Sequence, residues 1–236
     1  MHPDHLPDVI AIDGPAASGK STIGFMLARR LGYLYLDTGS MYRALTLAAI
    51  HRGISVDDEA GLTSLALTLD LEVLPLRGET DGRQYTVLIN GQDVTWDLRL
   101  PEVDAAVSQV STYALVRAEM VRRQRETARR GRVVMVGRDI GTVVMPDAPL
   151  KLYITASAAE RARRRLIDRH RQGHDDDYEA ILADVIRRDQ IDSSRQHSPL
   201  RPAADSVVID TTNQPAEAVL DGILDRLNRA PTGERV

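Results

Sequence analysis

Apolar positions along this chain fall into short continuous runs that alternate with longer stretches of helical spacing. Val9-Ile10-Ala11-Ile12-Asp13 is the first run; Gly14-Pro15 end it, and Ile23, Leu27, Ala28 and Leu31 recur three and four residues apart until Gly32. The pattern predicts strand, turn, helix. Leu34-Tyr35-Leu36 reads as a second strand, and Asp37-Thr38-Gly39-Ser40 offers capping side chains before a helix carrying Tyr42, Leu45, Ala49 and Ile50.

Residues 69 to 95 have a different texture. Leu69-Asp70-Leu71-Glu72-Val73 alternates with period two, Arg77 to Arg83 is turn-like, and Tyr85-Thr86-Val87-Leu88-Ile89 meets Asn90-Gly91 before Gln92-Asp93-Val94-Thr95. Asn-Gly between strand-like runs is a strong hairpin signal, so a small antiparallel insertion is expected here, with Trp96 near its return. One helix is predicted from Pro101 to Arg130, then strands at 133–136 and 150–154, helices at 157–171 and 178–192, a strand at 207–210 and a helix from Pro215 to Leu227. The tail from Pro231 is expected to fray. Five near-continuous apolar strands separated by helices imply an α/β protein whose parallel sheet is covered on both faces.

The chain has 236 residues, 43% hydrophobic and 27% charged, enough apolar material for a sizeable core. Cysteine is absent, which removes disulfides, thiolate metal sites and thiol nucleophiles together. Met1 to Pro7 lacks a basic region followed by an apolar stretch, and no run of 18 apolar residues occurs, so a cytoplasmic chain without a membrane span is expected. The net charge of −4 argues against a general nucleic-acid binder. Its distribution is uneven: residues 117 to 201 carry 18 arginines and Lys151 against 13 acids, net +6, while the rest sums to −10. A basic segment in an acidic chain suggests a confined anion site. Of the 30 basic residues only Lys20 and Lys151 are lysine.

Lys20 lies in Gly14-Pro15-Ala16-Ala17-Ser18-Gly19-Lys20-Ser21, which fits G-x-x-x-x-G-K-[ST] between a predicted strand and a predicted helix. Glycines let backbone amides converge on phosphate oxygens, and the following helix presents its positive end to them. In such a loop Lys20 neutralises the β- and γ-phosphates of ATP or GTP, Ser21 offers a hydroxyl to Mg²⁺, and Thr22 adds a donor. Binding of ATP or GTP with Mg²⁺ is expected.

Four further segments make the resemblance specific: Ile12-Asp13-Gly14-Pro15, Leu36-Asp37-Thr38-Gly39-Ser40-Met41-Tyr42-Arg43, Gly137-Arg138-Asp139-Ile140-Gly141-Thr142-Val143-Val144 and Arg188-Asp189-Gln190-Ile191-Asp192-Ser193-Ser194-Arg195. Together, from about Val9 to about Leu227, they resemble the bacterial cytidylate kinases. The resemblance implies the three-layer P-loop NTPase fold and transfer of the ATP γ-phosphoryl to CMP or dCMP. It implies Lys20, Arg138 and Arg188 as catalytic cations, and Thr38, Arg43 and Arg138 on the acceptor phosphate, where planar guanidinium groups suit bidentate contact. Ser108, Arg117 and Asp139 match positions that read cytosine: Asp139 accepts from the exocyclic amine, while Arg117 and Ser108 donate to O2 and N3. Arg188 and Asp192, four residues apart on one predicted helix, match positions at the ribose, with Arg195 one turn on.

The same resemblance divides the chain into a CORE at 9–68 and 96–229, the antiparallel insertion of an acceptor-binding domain at 69–95, and a helical LID at 161–178. The LID holds Arg161, Arg163, Arg164, Arg165, Arg169 and Arg171; Arg161 and Arg165 share a helical face and are the phosphate candidates. ATP and CMP or dCMP are the expected partners, with no nucleic-acid polymer and no membrane, and a monomer is expected. Residues alone leave rival readings: a P-loop kinase for another small acceptor such as UMP, shikimate or dephospho-coenzyme A, a nucleotide-dependent switch, or an RNA binder using arginines 117–132. The last lacks the interleaved aromatics that base stacking needs.

Overall fold

The computed structural model describes residues 6–129, 131–171 and 173–229; Arg130, at the end of one predicted helix, and the tail from Pro231 lie outside the described residues. Five parallel strands form the main sheet: β1 (Val9–Asp13), β2 (Leu34–Asp37), β6 (Val133–Gly137), β7 (Leu150–Thr155) and β8 (Val207–Asp210), in the order β2-β6-β1-β7-β8. The sequence reading anticipated all five. All residues of β1 and β6 are buried, as strands covered on both faces must be.

Side chains alternate between two layers. Ile10, Ile12, Val134, Val136, Leu152 and Ile154 face helices α1 (Lys20–Leu31) and α8 (Ala216–Arg229), meeting Ile23, Leu27, Leu220 and Ile223. Val9, Ala11, Val133 and Met135 point the other way, onto Val121 and Ala128 of α5 (Ala114–Ala128) and onto the π-type turn Ile140–Val144. Close packing is visible at Gly24 of α1, where a Cβ would stand 2.5 Å from a methyl of Val136.

Beyond the sheet edge, α2 (Thr38–His51), α3 (Glu59–Thr68), the C-terminal end of α4 (Pro101–Val110) and α5 enclose a second apolar cluster around Leu45, Leu62, Leu65 and Met120. The insertion is an antiparallel three-stranded sheet of β3 (Leu71–Leu74), β4 (Thr86–Ile89) and β5 (Gln92–Asp93). Ile89 pairs with Gln92 across the predicted Asn90-Gly91 turn, whose φ angles of 50° and 76° are those of a tight primed hairpin. β5 is shorter than the predicted run to Thr95, because Thr95 turns its hydroxyl to accept from the Val87 amide at 2.9 Å.

Two elements depart from the sequence reading. The helix predicted from Pro101 to Arg130 is broken between α4 and α5. Ser111 and Thr112 donate their hydroxyls to the carbonyls of Ser108 and Gln109 at 2.9 and 2.7 Å, side-chain bonds that compete with helix continuation. α3 was not anticipated; it is capped by Asp58, which accepts from the Gly61 amide at 2.9 Å. Near the C-terminal half, α6 (Ala158–Arg171) packs on α7 (Tyr178–Ser194) around Ala162, Ile181 and Val185. No helix among the described residues is long and apolar enough to cross a membrane.

Candidate active site

The loop after β1 is built for an anion. At Gly14 (φ 154°) a Cβ would fall 2.0 Å from the carbonyl oxygen of Ile154 on the neighbouring strand, so the close passage of this backbone excludes a side chain. Ala17 and Gly19 then take left-handed conformations, φ 59° and 88°, and α1 begins at Lys20 with no side-chain cap and no acid in its first turn. Its first amides are thereby left to a ligand. The buried Ser18 Oγ has no hydrogen-bond partner among the described residues.

Lys20 Nζ donates to Pro15 O at 2.8 Å. Burial first, and then the Arg138 charge, lower its pKa well below the usual lysine range, opposed by Asp37, Asp192 and Asp13. Ser21 Oγ stands 3.5 Å from Asp37 Oδ2, while Asp37 Oδ1 caps α2 by accepting from the Gly39 amide at 3.0 Å. Asp13, immediately before the loop, accepts from the amides of Ile140 and Gly141, both at 2.7 Å. Burial pushes its carboxyl up to about 6 against the pull of those two amides.

Beside this loop, at the ends of β2 and β6, opens a cleft of about 680 Å³. Open parallel sheets bind ligands at this edge, outside the carboxyl ends of their strands. Its lining includes Thr38, Arg43, Ser108, Arg117, Arg138, Asp139, Arg188, Asp192 and Arg195, so all nine residues assigned by resemblance to the acceptor converge on it. Segments separated by up to about 150 residues meet because β2, β6 and α7 end together there.

The cleft's charges are paired. Arg117 Nη2 meets Asp139 Oδ2 at 2.5 Å, both buried, and the guanidinium carbon lies 5.4 Å from the Tyr42 ring centre. Burial raises the Tyr42 phenol to about 12. Asp192 bridges Arg138 at 2.9 Å and Arg195 at 2.5 Å; burial opposes its ionisation, but these two guanidinium groups hold it below the usual carboxylate range. Thr38 Oγ1 donates to Val136 O at 2.9 Å. Arg117, Arg188 and Arg195 each retain a buried Nε–H with no hydrogen-bond acceptor among the described residues, the condition a polar ligand would relieve.

Several participants escaped the sequence reading. Ser111 accepts from Arg195 through its hydroxyl and from Arg117 through its carbonyl, both at 3.0 Å, and it sits in the break that no periodicity announced. Asp37 was read only as a cap, yet one of its oxygens faces Ser21. Asp104 pairs with Arg43; its place four residues before Ser108 on α4 was the available signal.

Of the two LID candidates, Arg161 is bound bidentately to Asp189, at 2.9 and 2.5 Å, and reaches Ala16 O of the loop at 3.3 Å. Arg165 pairs with Asp184 at 2.8 Å. Arg164, not singled out, also lies against the loop: an Nη stands 3.5 Å from where a Gly19 Cβ would be. It also donates to Thr211 O at 2.6 Å.

Residues 10–229 match the family model described as cytidylate kinase. The chain is similar to the cytidylate kinase of Roseiflexus castenholzii, 52% identical over 221 residues and covering 94% of both chains. It is 53% identical over 204 residues to that of Chloroflexus aggregans, with 86% of each covered. A solved structure of an uncharacterized protein from Eubacterium ventriosum superposes with a TM-score of 0.50 at 12% identity, covering 94% of this chain and 99% of that one. This last likeness concerns the fold alone. A phosphate loop beside an arginine-lined cleft, carried on a chain alike over nearly its whole length to such relatives, places the protein in the cytidylate kinase family.

Proposed function

We propose that the protein transfers the γ-phosphoryl of ATP to CMP or dCMP, giving ADP and CDP or dCDP. The observation that supports this reading is the cleft itself, whose lining joins Ser108, Arg117 and Asp139, which we assign to the base, with Thr38, Arg43 and Arg138, which we assign to the acceptor phosphate. Phosphoryl transfer needs two polyanions held in line while negative charge spreads over a loose transition state. No general base is needed, since the attacking atom is already a phosphate oxygen.

We assign Gly14 to Thr22 to the ATP phosphates, with Lys20 as their principal cation. Thr38, Arg43 and Arg138 take the acceptor phosphate, Ser108, Arg117 and Asp139 the base, and Arg188, Asp192 and Arg195 the sugar and the space between the two nucleotides. Lys20, Arg138 and Arg188 act on the reacting phosphates. Asp139 accepts from the cytosine amine; uracil presents an acceptor there and leaves the carboxylate unpaired, which disfavours UMP.

The oxygen donors Ser21 and Asp37 suit a hard divalent cation such as Mg²⁺, which is bound through one or two side chains plus phosphate oxygens. They would hold Mg²⁺ against the ATP β- and γ-phosphates, where it supplies charge neutralisation. We also keep the division into a CORE at 9–68 and 96–229, an insertion at 69–95 and a LID at 161–178. The small apolar cluster packs the LID helix α6 against α7, whose Ile181 and Val185 lie beyond the LID bounds, so the LID would close over ATP and exclude water together with α7.

The test is ADP release measured with CMP, dCMP, UMP, AMP and GMP. Rapid turnover is expected with the two cytidine nucleotides and much slower turnover with UMP. No acceleration by CMP or dCMP would overturn the proposal.

A further inference from the structure

Each arginine of the cleft is held by an acidic side chain or a backbone carbonyl. Of the four aspartates involved, Asp184 lies on α7 itself, 3.8 Å from Arg188 Nε and closer to Arg165 and Arg187; for Asp139 and Asp192 the proposed function supplies a ligand group, a base amine and sugar hydroxyls. Asp104 has none. It lies outside the lining of the cleft, one helical turn before Val107 and Ser108 on α4. From there it reaches the phosphate side of the site. Asp104 Oδ1 accepts from Arg43 Nη2 at 2.7 Å, and Arg188 Nη2 stands 4.0 Å from the same oxygen while donating to the Asp104 carbonyl at 3.1 Å.

Both terminal nitrogens of Arg43 are engaged, because the other donates to Leu98 O at 2.9 Å. A guanidinium binds phosphate best through two parallel N–H groups. A phosphate that takes Nη2 as one arm of such a fork competes with Asp104 for that nitrogen. A phosphate brought to Arg43 and Arg188 also brings a second anion toward the carboxylate, and like charges at this range repel. The side chains of Asp104 and Arg43 are about one-third and one-quarter exposed, so solvent can receive the displaced carboxylate.

We propose that Asp104 is a placeholder anion for the acceptor phosphate: it neutralises Arg43 and Arg188 in the phosphate's stead, and phosphate and carboxylate compete for the two guanidinium groups. Its charge weakens acceptor binding and speeds departure of the diphosphate product by re-pairing the arginines as the product leaves. This rests on the assignment of Arg43 to the acceptor phosphate. A strut that merely aims the arginines predicts the opposite sign, since its loss would weaken binding.

The experiment is calorimetric titration of the full chain and of Asp104→Asn and Asp104→Ala with CMP, with cytidine as the ligand lacking phosphate. Expected is CMP binding about 3- to 10-fold tighter in both variants, with cytidine affinity unchanged. The gain should shrink as salt is raised, and stopped-flow dissociation of CDP should slow by a similar factor. CMP affinity equal to or below wild type, in either variant melting at the wild-type temperature, would overturn the proposal and make Asp104 a strut. Wild-type protein that binds CMP no better than cytidine would instead overturn the acceptor site itself, and this inference with it.

Discussion

Arg117 and Asp139 form a buried ion pair, Nη2 to Oδ2 at 2.5 Å, between a helix that begins only after the break at Ser111 and the segment that joins β6 to the turn at Ile140. The pair serves two ends at once. Under the proposed function it aims the Asp139 carboxylate at the base, and it neutralises a guanidinium that the surrounding core has stripped of water. Asp139→Ala is therefore expected to lower kcat/KM for CMP by about 10- to 100-fold, the value of one lost base contact. The loss on UMP should be much smaller. Because Arg117 is left buried without its partner, thermal unfolding should also report a loss of about 3–5 kcal/mol. Equal losses on CMP and UMP would leave Asp139 only the task of holding Arg117.

Lys20→Ala removes the ammonium group that we assign to the ATP β- and γ-phosphates while truncating a side chain whose one direct hydrogen bond among the described residues is to Pro15 O. The expected outcome is a fall in kcat of at least about 10²–10³-fold, the scale set by losing one preorganised charge-stabilising donor. Circular dichroism and melting temperature should stay near wild type. Steady-state rates near wild type in a folded variant would remove Lys20 from the transition state.

Gly14→Ala tests the close passage of the loop against β7. A Cβ 2.0 Å from a backbone oxygen has no rotamer to escape into, so the loop or the strand must shift. Loss of ATP binding and a stability decrease of about 1–3 kcal/mol are expected. Normal ATP affinity, read by titration with a fluorescent nucleotide, would contradict the geometry of the loop.

Asp13 predicts a pH effect. Its carboxyl titrates near 6 in the folded chain and near 4 when unfolded, so the folded state binds more protons between those values. Its contribution is fully present below about pH 4 and is lost as pH rises through 6, an amount of roughly 3 kcal/mol. In Asp13→Asn this component should vanish, so that the difference in unfolding free energy between wild type and variant changes across pH 4 to 6.5. A constant difference over that range would mean that Asp13 does not titrate there.

Much of the architecture was legible along the chain. The five apolar runs are long enough to cross a sheet, and they forecast β1, β2, β6, β7 and β8 as strands of a parallel sheet; cover on both faces holds for β1 and β6 but not for the edge strand β8, where Val208 is exposed. Asn90-Gly91 forecast its hairpin because both residues accept positive φ, as observed. The phosphate loop was legible for a similar reason: its glycines, lysine and serine act through local backbone geometry within one turn. Where local side chains overrode periodicity, the reading failed. Ser111 and Thr112 cut the helix predicted from Pro101 to Arg130 by binding their own neighbours' carbonyls, and with that break comes the approach of Ser111 and Arg117 to the cleft.

The sequence by itself determined which residue types could do the chemistry: one lysine in a phosphate loop, and arginines and aspartates in recognisable segments. Only the tertiary structure decided which of them are paired. Asp13 meets Ile140 across 127 residues, Arg43 meets Asp104 across 61, and Arg138 meets Asp192 across 54. Spacing along a chain fixes neighbours three or four residues apart on a helix and two apart on a strand. Partners at greater separation follow from the order β2-β6-β1-β7-β8 and from the helices packed on its faces, which bring the ends of distant elements to one cleft.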